Sequence, residues 1–335
     1  MKLNFKFQKP DMVAEAAKTG GQNIFLEILM FLGVFFVAQM AMSFPITIVS
    51  IPLMYLSEDY MAAAASGDYD RIMEASMDLA MSTPMLITQL FATVLMTAVA
   101  MLFCKLLQKR KMATLGFKRP GMWKEYGVGM LIGFGMMAAI VFISAVTGAL
   151  ELQFNSDITS MSSIVLLLTI FVGFLFQGMS EEVLCRSYFL ISLARKDGKV
   201  WMGIIVSSIA FGALHLGNAG IAPLALVNLV LFGIFAGVYF IKRGNIWGAA
   251  AIHSIWNFAQ GNIFGVLVSG NDFGITIFEA AINEEMTLIN GGDFGLEGGI
   301  LTTVVLVVAT LITLCTKQKD IAVEEVSESA EPAVL

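Results

Sequence analysis

The chain has 335 residues, 57% of them hydrophobic and 14% charged, a formal net charge of −6 and a mean hydropathy of +0.80. A soluble domain of this length cannot hide that much apolar surface in one core. The composition therefore excludes an ordinary globular protein, the acidic balance argues against nucleic-acid binding, and the expected fold class is all-α, a polytopic membrane protein with about eight transmembrane helices in a lipid bilayer.

Residues 1–23 are polar and read as a cytoplasmic segment. The apolar run that follows is too long for the core of a cleavable signal peptide, so the first span is expected to act as its own insertion signal. Apolar runs cover residues 24–56, 85–107, 126–150, 163–194, 200–216, 221–241, 246–268 and 298–315. Most approach the roughly 20 residues needed to cross a hydrocarbon core. Pro45 and Pro52 inside the first predict a kink or an interfacial turn. Residues 24–315 thus form the transmembrane domain, and residues 316–335, with Glu324, Glu325, Glu328 and Glu331, read as a disordered acidic cytoplasmic tail.

Charge gives a second view of the same topology, because cytoplasmic loops carry Lys and Arg. With both termini inside, Lys2, Lys6, Lys9, Lys18, the cluster from Lys105 to Lys124, Arg195, Lys196, Lys199, Lys242, Arg243, Lys317 and Lys319 share one side, and of the 20 basic residues only Arg71 falls outside, with Arg186 inside a span. The opposite loops, 57–83 and 269–297, are acidic and have no assigned role. The expected location is the cell membrane, multi-pass, with both ends cytoplasmic. Cys104, Cys185 and Cys315 are odd in number and read as buried thiols. Gly129-x-x-x-Gly133 and Gly233-x-x-x-Gly237 permit close helix packing.

Ionisable groups inside apolar helices are costly and point to function. The chain has two histidines, His215 and His253, both downstream of Glu181-Glu182-x-x-x-Arg186. On a helix Glu182 and Arg186 share a face, as do Phe211 with His215 and His253 with Asn257, while Glu181 points away from the Glu182–Arg186 face. Arg186 can neutralise Glu182 and leave Glu181 free. A hydrolase needs a base for water and donors for an oxyanion, and this set offers both. At 1.5 Å per residue, Glu181 lies about 21 Å above Arg195, His215 about 24 Å above Lys199 and His253 about 15 Å above Arg243, heights that overlap once tilt is allowed. Each residue also has a plainer use. Glu182–Arg186 can lock a helix as a buried ion pair. Phe211, Trp247 and Trp256 can be packing or interfacial anchors, the 22 methionines can be core filler, and Cys185 has only Arg186 to lower its thiol pKa.

Glu181-Glu182-x-x-x-Arg186, Phe211-x-x-x-His215 and His253-x-x-x-Asn257, in that order on successive apolar helices, resemble the three-part signature of the CPBP family. These are the CAAX prenyl endopeptidases and bacteriocin-processing intramembrane proteases, also called Abi proteins. The stretch Leu115-Gly116-Phe117-Lys118-Arg119-Pro120 is similar too, so the likeness covers about residues 115–265. The resemblance implies a glutamate-dependent intramembrane endopeptidase acting on a membrane-associated peptide or protein. It implies Glu181 as the general base helped by His215, His253 and Asn257 as oxyanion donors, and Glu182 and Arg186 as support.

The resemblance favours a reaction without a metal. From residue types alone, Glu181, His215 and His253 also fit a three-ligand zinc site, and the absence of a His-Glu-x-x-His pair counts only mildly against it. Two other classes are a proton-coupled transporter, for which no two-fold repeat of interrupted spans is visible, and a non-catalytic immunity or scaffold protein. The substrate, and whether it is prenylated, cannot be read from the sequence.

Overall fold

The computed structural model describes residues 7 and 9–319. Lys2, Lys6 and the expected acidic tail from residue 320 onward lie outside the described residues. A short helix α1 (Asp11–Ala17) precedes α2 (Ile24–Leu56), which Asn23 caps by accepting from the Leu26 N–H at 2.9 Å. α2 continues through Pro45 and Pro52 for 33 residues, with no interfacial turn at either proline. At 1.5 Å per residue that is about 50 Å, longer than the hydrocarbon core. It exposes Phe25, Leu32, Phe36, Met40 and Phe44, as a helix facing lipid does.

The first acidic loop folds into a helical hairpin, α3 (Glu58–Ser66) and α4 (Tyr69–Ala80), started by the side chains of Ser57 and Asp68. Next come α5 (Thr83–Ala92) and α6 (Val94–Leu102), a π-helical turn (Phe103–Leu107), and α7 (Met122–Val146). α7 stops short of the expected Leu150, because the chain turns at Gly148 (φ +75°) and enters strand β1 (Leu150–Phe154). α8 (Met161–Glu182) then passes through a π-helix (Val183–Leu190) into α9 (Ile191–Asp197), so residues 161–197 form one long rod.

The second half contains α10 (Val200–Leu214), α11 (Pro223–Arg243) and α12 (Trp247–Phe258), which continues as a π-helix to Ile263. Strand β2 (Phe278–Ile282), α13 (Thr287–Asn290) and α14 (Ile300–Cys315) complete the described chain. Among the described residues five helices are long and apolar enough to cross a membrane: Ile24–Leu56, Thr83–Leu107, Met122–Val146, Met161–Asp197 and Pro223–Arg243. α10 and α14 are apolar but shorter, and α12 is buried along nearly its whole length. A helix that is apolar all round belongs in the centre of a bundle. The protein is an all-α membrane protein with one small antiparallel sheet, β1 on β2, pairing Leu150 with Ile282 and Phe154 with Phe278.

Small residues let α12 take its central place. A Cβ on Gly133 of α7 would stand 2.5 Å from the Ile255 side chain, and one on Gly178 of α8 would stand 2.6 Å from the Ser254 backbone nitrogen. The basic end of the bundle is tied by ion pairs. Arg195 of α9 meets Glu27 of α2 at 3.0 Å, while Glu125 of α7 meets both Arg243 of α11 and Lys319 beyond α14. α7, α8, α11 and α12 are thereby fixed around one interior, and the polar residues of the second half project into it.

Candidate active site

A cavity of about 140 Å³ lies between these helices. It is lined by Glu181 and Gln177 from α8, Phe211 and His215 from α10 and its C-terminal turn, His253, Trp256 and Asn257 from α12, and Ser269 and Glu297 from the second acidic loop. The residues singled out from sequence thus converge, although they are spread over nearly 80 positions of the chain. Helix geometry explains the placement: each pair at i,i+4 shares a face, and these faces meet at the close contact of α8 with α12.

Glu182 is completely buried and bridges two cations or potential cations. Arg186 Nη1 donates to its Oε1 at 2.8 Å, and His253 Nδ1 lies 2.9 Å from the same oxygen. A carboxylate is an acceptor, so Nδ1 carries the proton of a neutral His253 and Nε2 is its accepting nitrogen. That Nε2 is 3.7 Å from Glu181 Oε2, an atom with no hydrogen-bond partner among the described residues. The imidazole beside Glu181 is therefore that of His253. His215 Nδ1 lies 2.8 Å from the Phe211 carbonyl, which makes it the donor and leaves Nε2 as the acceptor.

Phe211 packs among all of these groups. Its ring centroid is 4.7 Å from the Arg186 guanidinium carbon, 4.8 Å from the His215 ring and 5.8 Å from the His253 ring. This is packing, as expected, but packing that compensates a buried cation through the ring face. Arg186 lies within the π-helix, whose wider turn leaves carbonyls without their usual partners. Arg110 supplies two donors there, Nη2 to Ser187 O at 3.0 Å and Nη1 to Tyr188 O at 3.3 Å. Burial draws the Arg110 pKa down to about 10, still high enough to keep its charge. Cys185 is fully buried and does not line the cavity.

Two participants escaped the sequence reading. Gln177, four residues before Glu181, donates from Nε2 to Glu181 Oε1 at 2.6 Å and accepts from Asn257 Nδ2 at 2.9 Å. Its i,i+4 spacing to Glu181 was the available signal. The second is Glu297, grouped by sequence with the acidic residues of an outer loop. It is 8% exposed, and its Oε2 accepts from both the N–H and the hydroxyl of Ser269, each at 2.7 Å. Burial raises its pKa above the usual carboxyl range, opposed by the Ser269 hydrogen bonds and by His215 and His253. No local pattern distinguishes Glu297 from its exposed neighbours. Loop 269–297, to which the sequence assigns no role, thus contributes to the site, since its Ser269, Asn271 and Phe273 also wall the cavity.

Among the described residues no group of three or more His, Cys, Asp or Glu side chains is gathered as metal ligands would be. Fold and site together define a membrane protein with a buried cavity that pairs carboxylates with imidazoles. Residues 162–259 match the family model described as Rce1-like, type II CAAX prenyl endopeptidase. That segment holds all three motifs, and the match bears out the resemblance to the CPBP family. It supports a peptidase of the CAAX type acting at a membrane. No curated protein and no solved structure matches the chain.

Proposed function

We propose that the protein is an intramembrane endopeptidase in which Glu181 activates water. The observation that carries this reading is the free Glu181 Oε2, 3.7 Å from His253 Nε2 in a cavity large enough for water. In the attack, Glu181 takes one proton from water as the oxygen bonds to the scissile carbonyl carbon. Passed on to His253 Nε2, that proton makes an imidazolium whose other N–H already points at Glu182, the same support that a carboxylate gives histidine in a hydrolytic triad. Nε2–H and the second N–H of the Asn257 amide, the first being bonded to Gln177, then serve the oxyanion. His215 presents Nε2 to the cavity and helps hold the water. The substrate is a peptide or protein that reaches the cavity from the bilayer.

Glu181→Ala is expected to abolish cleavage while Tm in detergent stays within a few degrees of wild type. Proteomics of cells carrying either form identifies the peptides lost. Retention of near-normal turnover by Glu181→Gln would overturn the base role. Stoichiometric zinc in the purified protein, with loss of activity to a chelator and recovery with added metal, would reassign Glu181, His215 and His253 as ligands.

A further inference from the structure

The cavity holds one carboxyl that the reaction above leaves unused, and it comes from beyond the matched segment that ends at residue 259. Glu297 sits in the tight turn Leu296–Gly298 and lines the same cavity as Glu181, His215 and His253. Both hydrogen bonds to its carboxyl converge on Oε2. Oε1 keeps its capacity for a proton. Ser269 aims both donors from φ +49°, a left-handed conformation that is costly for a non-glycine residue and that its surroundings must enforce.

Those surroundings lead back to the motif histidine. Asn218 donates from Nδ2 to Ser269 O at 3.1 Å, and its own N–H bonds to His215 O at 3.0 Å. From the other side Asn228 of α11 donates to the Glu297 carbonyl at 2.7 Å and to Gly299 O at 2.9 Å. The titratable groups facing Glu297 are His215 at the end of α10 and His253 of α12, and Glu181 lines the same cavity. α11 presents the neutral Asn228, α13 has no charged residue, the start of α14 is uncharged, and Asp293 in the preceding turn is exposed. A carboxyl this buried, without Lys or Arg beside it, favours its neutral form, in line with its raised pKa.

We propose that Glu297 is a second catalytic carboxyl, the general acid that passes its Oε1 proton to the nitrogen of the leaving amine. The proposal rests on the reading of Glu181 as base. An amide cannot expel an unprotonated nitrogen anion, so the step needs a donor on the side of the cavity where the amine departs. The oxyanion pair re-forms the carbonyl, the C–N bond breaks with its pair on nitrogen, and nitrogen takes the Glu297 proton. Glu297 is left as a carboxylate. The proton that Glu181 removed from water passes to Glu297 through His253 or cavity water, so water and amide give acid and amine with both carboxyls restored. Two carboxyls in one site with environments that split their tasks form a recurrent acid–base arrangement.

The test compares an internally quenched prenylated CAAX peptide with the same peptide carrying a thioester at the scissile bond. A thiolate, with a conjugate acid pKa of about 8.5, leaves without a proton. Glu297→Gln is expected to slow amide cleavage by about 10²–10⁴-fold and thioester cleavage by less than about tenfold, while Glu181→Ala removes both. Equal loss on both substrates, or none on the amide, would overturn the general acid and leave the base intact. Amide cleavage that survives Glu181→Ala would instead overturn the base. Infrared difference spectra of wild type against Glu297→Gln, taken at neutral pH without substrate, read Glu297 independently. A protonated carboxyl band lost in the variant supports the proposal, and carboxylate bands in its place sink it. Should Glu297→Gln not fold, Glu297→Asp shifts the band if it belongs to residue 297 and leaves it unmoved if it does not. If wild type cuts neither peptide, the peptidase reading fails for this probe and the infrared result decides Glu297 alone.

Discussion

Two acidic segments flank the bundle, 57–83 and 269–297, and they put the same residue types to opposite uses. The first folds into α3 and α4, leaving Glu58, Asp59, Asp68, Asp70, Glu74 and Asp78 exposed. The second is pinned by β2 against β1, by Asn290 to Ala149 O at 2.9 Å and by Asn228 to the Glu297 carbonyl, and it turns one carboxyl inward. Acidic composition keeps a loop in water only where nothing holds its backbone. Once buried amide side chains and a sheet fix the chain, the position of a single carboxyl is set by the fold, and its desolvation is offset by specific donors.

The comparison would be broken most severely at a buried carboxyl that loses its cation. Arg186→Ala leaves Glu182 fully buried with only His253 as partner and is expected to cost about 3–5 kcal/mol, read as a fall in Tm in detergent. A Tm equal to wild type would mean that burial does not govern these carboxyls. Asn228→Ala should be milder, at about 1–3 kcal/mol, because it strips donors from the carbonyls of Glu297 and Gly299 and an acceptor from Thr303. Hydrogen exchange should rise selectively in residues 296–303, and unchanged protection there would show that the second segment is held by something else. The smallest effect belongs to the first segment. Asp70→Asn, Glu74→Gln and Asp78→Asn together should change stability by no more than about 0.5 kcal/mol each, and a larger loss would assign that hairpin a structural load.

Glu181, Glu182, Arg186, His215, His253 and Asn257 were legible because apolar helices make polar residues conspicuous and because i,i+4 spacing alone decides which of them share a face. Gln177 was legible in principle by the same spacing. It was passed over because a neutral amide in a span is commonplace in helix packing. His253, with His215 turned to its own helix carbonyl, is the imidazole beside Glu181, a choice made by how α8 crosses α12 at Gly178 and Ser254.

By itself the sequence determined the membrane class, the apolar helices, the two polarised ends and the motif residues. All of these follow from composition and from periodicities a few residues long. Only the tertiary structure decided that α2 runs on through two prolines, that Leu150 starts a strand, that Arg110 braces the π-helix carrying Arg186, and that Glu297 enters the cavity. The last three depend on contacts between residues far apart in the chain, Leu150 with Ile282, Arg110 with Ser187 and Asn228 with Glu297. A backbone group or carboxyl finds such partners only after the helices have packed, so no local pattern encodes them.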